Sequence, residues 1–73
     1  MNFEELRYWH EQQKINTSAD LEQYRHMAAD RRASPYTRRE YFRKADAAAQ
    51  LIKFHDKAIE LLKSIGTFQQ VGI

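Results

Sequence analysis

The chain has 73 residues, no cysteine and a net charge of +2. Without cysteine it cannot form disulfides or thiolate metal sites. A domain this short buries only about 60% of the surface that its unfolded chain exposes. Nine alanines and many Glu, Gln, Lys, Arg and Leu residues, against a single valine, leave little material for strands and predict an all-α fold. No apolar run approaches the roughly 20 residues that cross a bilayer, and the N-terminus lacks the pattern of a signal peptide, so we expect a cytoplasmic protein.

The first arm of the fold is predicted to be helical but interrupted. Asn2 and Glu5 have the spacing of a capping box, which predicts a helix over about 3–15. Residues 16–18, Asn-Thr-Ser, favour capping over helix propagation because their side chains compete for backbone hydrogen bonds. A second helix is therefore predicted over about 18–32, with a break or kink between the two. A continuous first arm fits the segment lengths equally well.

The second arm is predicted to be one long helix. Ser34 and Pro35 interrupt the chain because proline lacks a backbone donor and disfavours the α region for the residue before it. Thr37 and Glu40 then form a capping box that opens a helix over about 37–65.

The predicted architecture is a single domain, 1–73, built as a helical hairpin. Gly66 is a natural C-terminal cap for the long helix, which leaves 66–73 as a short tail. The first arm packs on the long helix and the chain turns at Ser34 and Pro35.

The long helix carries two apolar rows. The first has the alternating spacing of four and three that is typical of a coiled coil: Tyr41, Ala45, Ala48, Ile52, His55, Ile59 and Leu62. The second runs beside it: Ala47, Leu51, Phe54, Ala58, Leu61 and Ile65. Together they are wider than the stripe of about 100° that a helix packed on one side needs.

A helix with two apolar rows must bury both of them against other parts of the protein or a partner. One cover is the first arm. The other is either a second copy, which would make a four-helix homodimer, or the apolar tail with Phe68, Val71 and Ile73 folding back. We predict the homodimer, with this self-association seam: Ala45, Ala48, Ile52, His55, Ile59 and Leu62.

His55 is the one polar residue inside this seam. A polar seam residue can fix helix register or partner orientation at a cost in stability, which is the interpretation we prefer. The alternative is a pH-sensitive interface, because histidine titrates near neutral pH.

Neither catalysis nor metal binding is indicated. No serine or threonine lies in a nucleophile-elbow pattern, and no glycine-rich phosphate loop is present. No two of the three histidines lie within one helical turn of each other. We predict a protein that is not an enzyme and uses no cofactor or metal.

A basic cluster at the turn is the clearest functional signal. Residues 25–44 carry seven bases and two acids, a net charge of +5, whereas residues 1–24 have a net charge of −3. The predicted contact residues are Arg31, Arg32, Tyr36, Arg38, Arg39, Arg43 and Lys44. Arginine is enriched in protein interfaces. Its guanidinium group also matches the geometry of phosphate groups, and aromatic rings can stack on bases.

We predict a protein-interaction or regulatory module that contacts an acidic protein. The alternatives are a small nucleic-acid-binding protein that uses the same surface and a purely structural subunit.

Taken whole, the chain resembles the short accessory proteins encoded in the early regions of temperate, lambda-like bacteriophages. The resemblance rests on the small size, the start Met1-Asn2-Phe3-Glu4-Glu5-Leu6, and the helical, cysteine-free, arginine-rich character. It implies a non-enzymatic modulator that acts in the host cytosol by contact with a host protein or with DNA.

Overall fold

The computed structural model describes the backbone of residues 2–71 and the side chains of residues 2–65. Two helices, α1 (Phe3–Ala28) and α2 (Pro35–Val71), pack against each other as an antiparallel hairpin. The molecule is a rod of 60 × 15 × 14 Å. The predicted all-α hairpin is thus confirmed, and the described residues contain no strand.

The first arm is one continuous helix, so the predicted break near residues 16–18 is wrong. Asn2 caps the start as predicted, because its Oδ1 accepts a hydrogen bond of 2.8 Å from the backbone N–H of Glu5. Thr17 lies in the middle of α1 and is buried, where it lines a depression between the helices together with Ala48. Three weak helix formers cost only a few tenths of a kcal/mol each, and packing against α2 outweighs that cost.

The turn begins earlier than predicted because Asp30 organises it. The Asp30 carboxylate accepts a hydrogen bond of 3.0 Å from the backbone N–H of Arg32, and the Asp30 carbonyl accepts one from Ala33. An aspartate that captures the N–H two residues on forms an Asx turn, which competes with the helix. The first helix therefore ends at Ala28 rather than near Arg32.

Ser34, not Thr37, caps the second helix. The Ser34 Oγ accepts a hydrogen bond of 3.1 Å from the backbone N–H of Thr37, and the Ser34 hydroxyl donates to the Thr37 Oγ1 at 2.9 Å. Pro35 then occupies the first helical position, where its missing N–H costs nothing and its fixed φ suits a helix. The helix consequently starts two residues before the predicted boundary.

Replacing Ser34 with alanine should lower the free energy of unfolding by about 1 kcal/mol because the cap of α2 is lost. Urea denaturation followed by circular dichroism measures the change. Ser18→Ala is the matched control: Ser18 is exposed within α1, and alanine propagates a helix better than serine. Equal destabilisation by both variants would contradict the capping role.

The long helix does not end at Gly66 but continues to Val71. A glycine inside a helix costs only about 1 kcal/mol relative to alanine, so it need not end one. Residues 66–71 extend the helix instead of folding back over it, and Ile73 lies outside the described residues. Since α2 has 37 residues and α1 has 26, the end of α2 projects beyond the start of α1.

The helices meet through small and polar side chains. Opposed pairs define the antiparallel register: Tyr24 and Tyr41, with ring centroids 6.1 Å apart, lie nearer the turn, and His10 and His55 lie further along. The buried apolar residues of the described part are Ala28, Ala45, Ala48 and Ile59, and no large side chain there is fully buried. The hairpin therefore encloses a thin core.

Candidate interaction surfaces

The predicted contact residues gather at the turn end of the rod, but they differ in accessibility. Arg31, Arg32 and Arg39 are exposed. Arg43 is also exposed and contacts Glu40 at 3.4 Å. Lys44 places its Nζ 5.1 Å from the centroid of the Tyr41 ring, a cation–π distance.

Arg38 has a structural role that the sequence did not indicate. Its Nε donates a hydrogen bond of 3.0 Å to the backbone carbonyl of Ala28, the last residue of α1. Carbonyl groups at a helix C-terminus lack partners within the helix, so Arg38 satisfies one of them from the other arm. This contact joins the two helices beside the turn, and Arg38 is accordingly only partly exposed.

Two aromatic side chains project from the same end. Tyr36 is 71% exposed and Phe42 is 60% exposed. Phe42 lines a shallow depression with Arg38 and Arg39. We call this end of the rod the arginine tip and define it by its exposed members: Arg31, Arg32, Tyr36, Arg39, Phe42 and Arg43.

The predicted self-association seam faces α1 inside the hairpin. Four of its members are buried and two are half-buried: Ala45, Ala48, His55 and Ile59, then Ile52 and Leu62. A second chain could reach this seam only if the hairpin opened. Self-association by an intact hairpin must therefore use another face.

The most unusual feature of the helix interface is a pair of histidines. The Nδ1 atoms of His10 and His55 lie 2.8 Å apart, and the two residues are only 8% and 4% exposed. One ring donates the Nδ1 proton and the other accepts it, an arrangement that two neutral rings in different tautomers provide. Two protonated rings would each present a donor and would repel each other.

Two aromatic rings cover this histidine pair. Trp9 lies edge-on to both histidines, with centroids 4.9 Å from His10 and 5.9 Å from His55. Phe54 contacts the same two rings at 6.0 and 5.4 Å. Burial lowers the pKa of His55 below its ordinary value of 6.5, and the nearby His10 lowers it further through charge repulsion. The environment thus favours the neutral form of His55.

The heptad spacing predicts His55 in the seam, but it does not predict His10 as the partner of His55. The two lie 45 residues apart in the chain, and only the antiparallel register brings them together. The signal in the sequence is a second row of residues spaced alternately by about three and four positions, along a continuous α1. In an antiparallel hairpin, such a row places His10 opposite His55.

The two flanks of the hairpin differ in character. One carries an ion pair between the helices, Lys14 with Asp56, within a groove that Ile15 and Ile59 line together with Glu11, Glu60 and Lys63. The other flank is apolar, and we define this apolar flank by Trp9, Ala47, Leu51, Phe54, Leu61 and Ile65. Contacts and helical spacing place its members together. Leu51 and Ala47 share a depression with Thr17, Trp9 and Phe54 share the histidine rings, and Leu61 and Ile65 continue the row on α2.

The described residues contain no group of three or more histidine, cysteine, aspartate or glutamate side chains that could hold a metal ion. Within the same part of the chain, neither helix is long and apolar enough to cross a membrane. No protein-family model, curated protein or solved structure matches the chain. The interaction surfaces must therefore be interpreted from their own chemistry.

Proposed function

We propose that the chain is a non-enzymatic protein-interaction module with a regulatory role, which contacts an acidic surface of its partner through the arginine tip. The observation that supports this function most directly is the exposure of arginine and aromatic side chains on one narrow end of the rod. Arginine and tyrosine are the residue types that most often carry binding energy at protein interfaces.

The charges at the tip favour an acidic partner. Arg32 and Arg43 each contact a neighbouring carboxylate, from Asp30 and Glu40. Among the residues with described side chains, neither Arg31 nor Arg39 contacts a carboxylate. These two guanidinium groups can therefore pair with carboxylates supplied by another molecule, and such pairs are often bidentate.

A nucleic acid is the alternative ligand. Arg31 and Arg39 could equally contact phosphates, and the exposed rings of Tyr36 and Phe42 could stack on bases. Asp30 and Glu40 weaken this interpretation because they pair with Arg32 and Arg43, and affinity for nucleic acid depends on how many phosphates free cationic groups can contact. The resemblance to phage accessory proteins fits a host protein in the cytosol as the partner, and fits DNA as the alternative.

Fluorescence anisotropy against two probes, a poly-glutamate peptide and short DNA and RNA strands, tests the proposal across a salt series. The Arg31→Glu/Arg39→Glu variant should bind the acidic peptide about tenfold or more weakly, because each arginine at an interface centre can contribute more than about 1 kcal/mol. Arg38 is left in place because its contact with Ala28 supports the fold.

Lys53→Glu/Lys57→Glu is the matched control. It makes the same change in net charge on exposed positions of α2 outside the tip, so it should bind the peptide nearly as well as the wild type. Tighter binding to nucleic acid, with a steep loss as salt rises, would support the alternative. Absence of binding to either probe at low salt, or an equal loss in both variants, would overturn the role of the tip.

A further inference from the structure

The apolar flank is large for a surface that contacts only water. Its five large members, Trp9, Leu51, Phe54, Leu61 and Ile65, are between 40% and 59% exposed. The four on α2 share one helix face by their spacing of three and four residues, and Trp9 adjoins Phe54 at the histidine pair. Exposed apolar stripes of this kind mark interaction sites in soluble proteins.

The accessible surface area of the chain also indicates that part of its surface is covered by a partner. A folded monomer of 8.7 kDa is expected to expose about 4,700 Å² of accessible surface, whereas this chain exposes 5992 Å². The excess is about 1,300 Å² per chain. This excess belongs to the rod as a whole, and the flank is one of its faces. Two chains that each buried about half of it would share about 1,300 Å², within the range of about 1,200–2,000 Å² that is typical of specific protein interfaces.

Nothing in the described part of the chain covers the flank. The α1 helix packs on the seam, and residues 66–71 continue α2 rather than folding back over it. The buried side chains of the described residues are three alanines, one threonine, one isoleucine and two histidines, so a lone hairpin lacks the buried apolar area that chains of this size usually need. The apolar flank carries five of the exposed large apolar side chains that could supply this area.

We propose that a second copy of this chain covers the apolar flank, so that two hairpins form a four-helix homodimer. A symmetric interface requires a self-complementary surface. The edge of the flank meets this requirement, because Asp20 and Lys44 line the same depression beside Leu51 and supply both charge signs. The homodimer predicted from the sequence is thus assigned to the second apolar row of α2, with Trp9, instead of to the seam.

Sedimentation equilibrium over a wide concentration range tests this assignment on the full chain. We expect a mass of twice 8.7 kDa for the wild type and a concentration-dependent change in its single tryptophan. Trp9 lies on the flank, so its emission should shift to shorter wavelength and its quenching by acrylamide should decrease as dimers form. A wild-type chain that stays at the monomer mass at all concentrations, with unchanging Trp9 emission, would overturn the proposal.

A pair of variants separates the flank from general hydrophobicity. Leu51→Glu/Phe54→Glu should raise the dimer dissociation constant at least a hundredfold. Ile15→Glu, at a position that is 61% exposed on another face of α1, should leave it within a few fold. If the double variant loses its helix signal, the milder Leu51→Ala should still shift the dissociation constant upward in a folded chain. Dissociation by Ile15→Glu, or persistent dimers in both flank variants, would place the interface elsewhere.

Discussion

We expect His55→Leu alone to lower the free energy of unfolding by about 1–3 kcal/mol, which is the cost of leaving a buried polar group without its partner. The leucine itself suits the seam, since Ile52 and Ile59 flank the position on the same helix face. The loss comes from His10, which is only 8% exposed and has its Nδ1 directed at His55. Urea denaturation at constant protein concentration measures the change.

Replacing both histidines should behave differently from replacing one. The double variant His10→Leu/His55→Leu removes the polar pair together, and the exchange of a buried polar pair for apolar side chains is often neutral or stabilising. We expect it to be at least as stable as the wild type. The native pair would then cost stability but fix the register of the helices, because the 2.8 Å contact between the two Nδ1 atoms can form at only one alignment of α1 and α2.

His26→Leu is the control for this pair of variants. His26 is exposed on α1, so its replacement should change the free energy of unfolding by no more than about 0.5 kcal/mol. If His55→Leu were as stable as the wild type, or if the double variant were the least stable of the three, the histidine contact would have no role in holding the arms together.

Acidification should destabilise the hairpin over a defined pH range. The pKa of His55 is lowered in the folded chain by burial and by His10, whereas in the unfolded chain it returns to about 6.5. Between these two values the unfolded chain binds more protons than the folded chain, so stability falls as the pH falls. The contribution of neutral His55 is fully present above pH of about 6.5 and is lost as the pH decreases toward the lowered folded pKa.

The surrounding charges do not offset this effect. Asp56 follows His55 in the chain, but its carboxylate is paired with Lys14 across the helices. Thermal unfolding at a series of pH values, at fixed ionic strength and protein concentration, measures the dependence. The double variant His10→Leu/His55→Leu should show a flatter profile as the pH falls below about 6.5. A wild-type profile as flat as that of the double variant would contradict the prediction.

Local chemistry made part of this structure predictable from sequence. The cap at Asn2 and the heptad spacing of α2 depend on residues within one or two turns of each other, and both are seen. The sequence predicts Ser34 as part of the turn, whereas the structure shows that it caps α2. The boundary at Ala28 escaped prediction because it depends on which backbone N–H the Asp30 carboxylate captures.

The remaining features depend on contacts between the arms. Thr17 belongs to a cluster that favours capping over helix propagation, and its burial against α2 favours the continuous helix instead. His10 acquires a partner only through the antiparallel register. Which apolar row of α2 faces α1 depends on the same register, so the seam and the apolar flank could be drawn from the sequence but could not be told apart.

The order in which the hairpin assembles follows from its single turn. The hydrogen bond from Arg38 to Ala28 joins residues only ten positions apart, whereas the histidine pair joins residues 45 positions apart. Closing a longer loop costs more entropy, so contacts should form first beside the turn and then extend toward the free ends, as a zipper does. Local contacts of this kind are typical of fast-folding helical proteins. We therefore expect the arginine tip to form early in folding and to separate late, and the end near the histidine pair to open first.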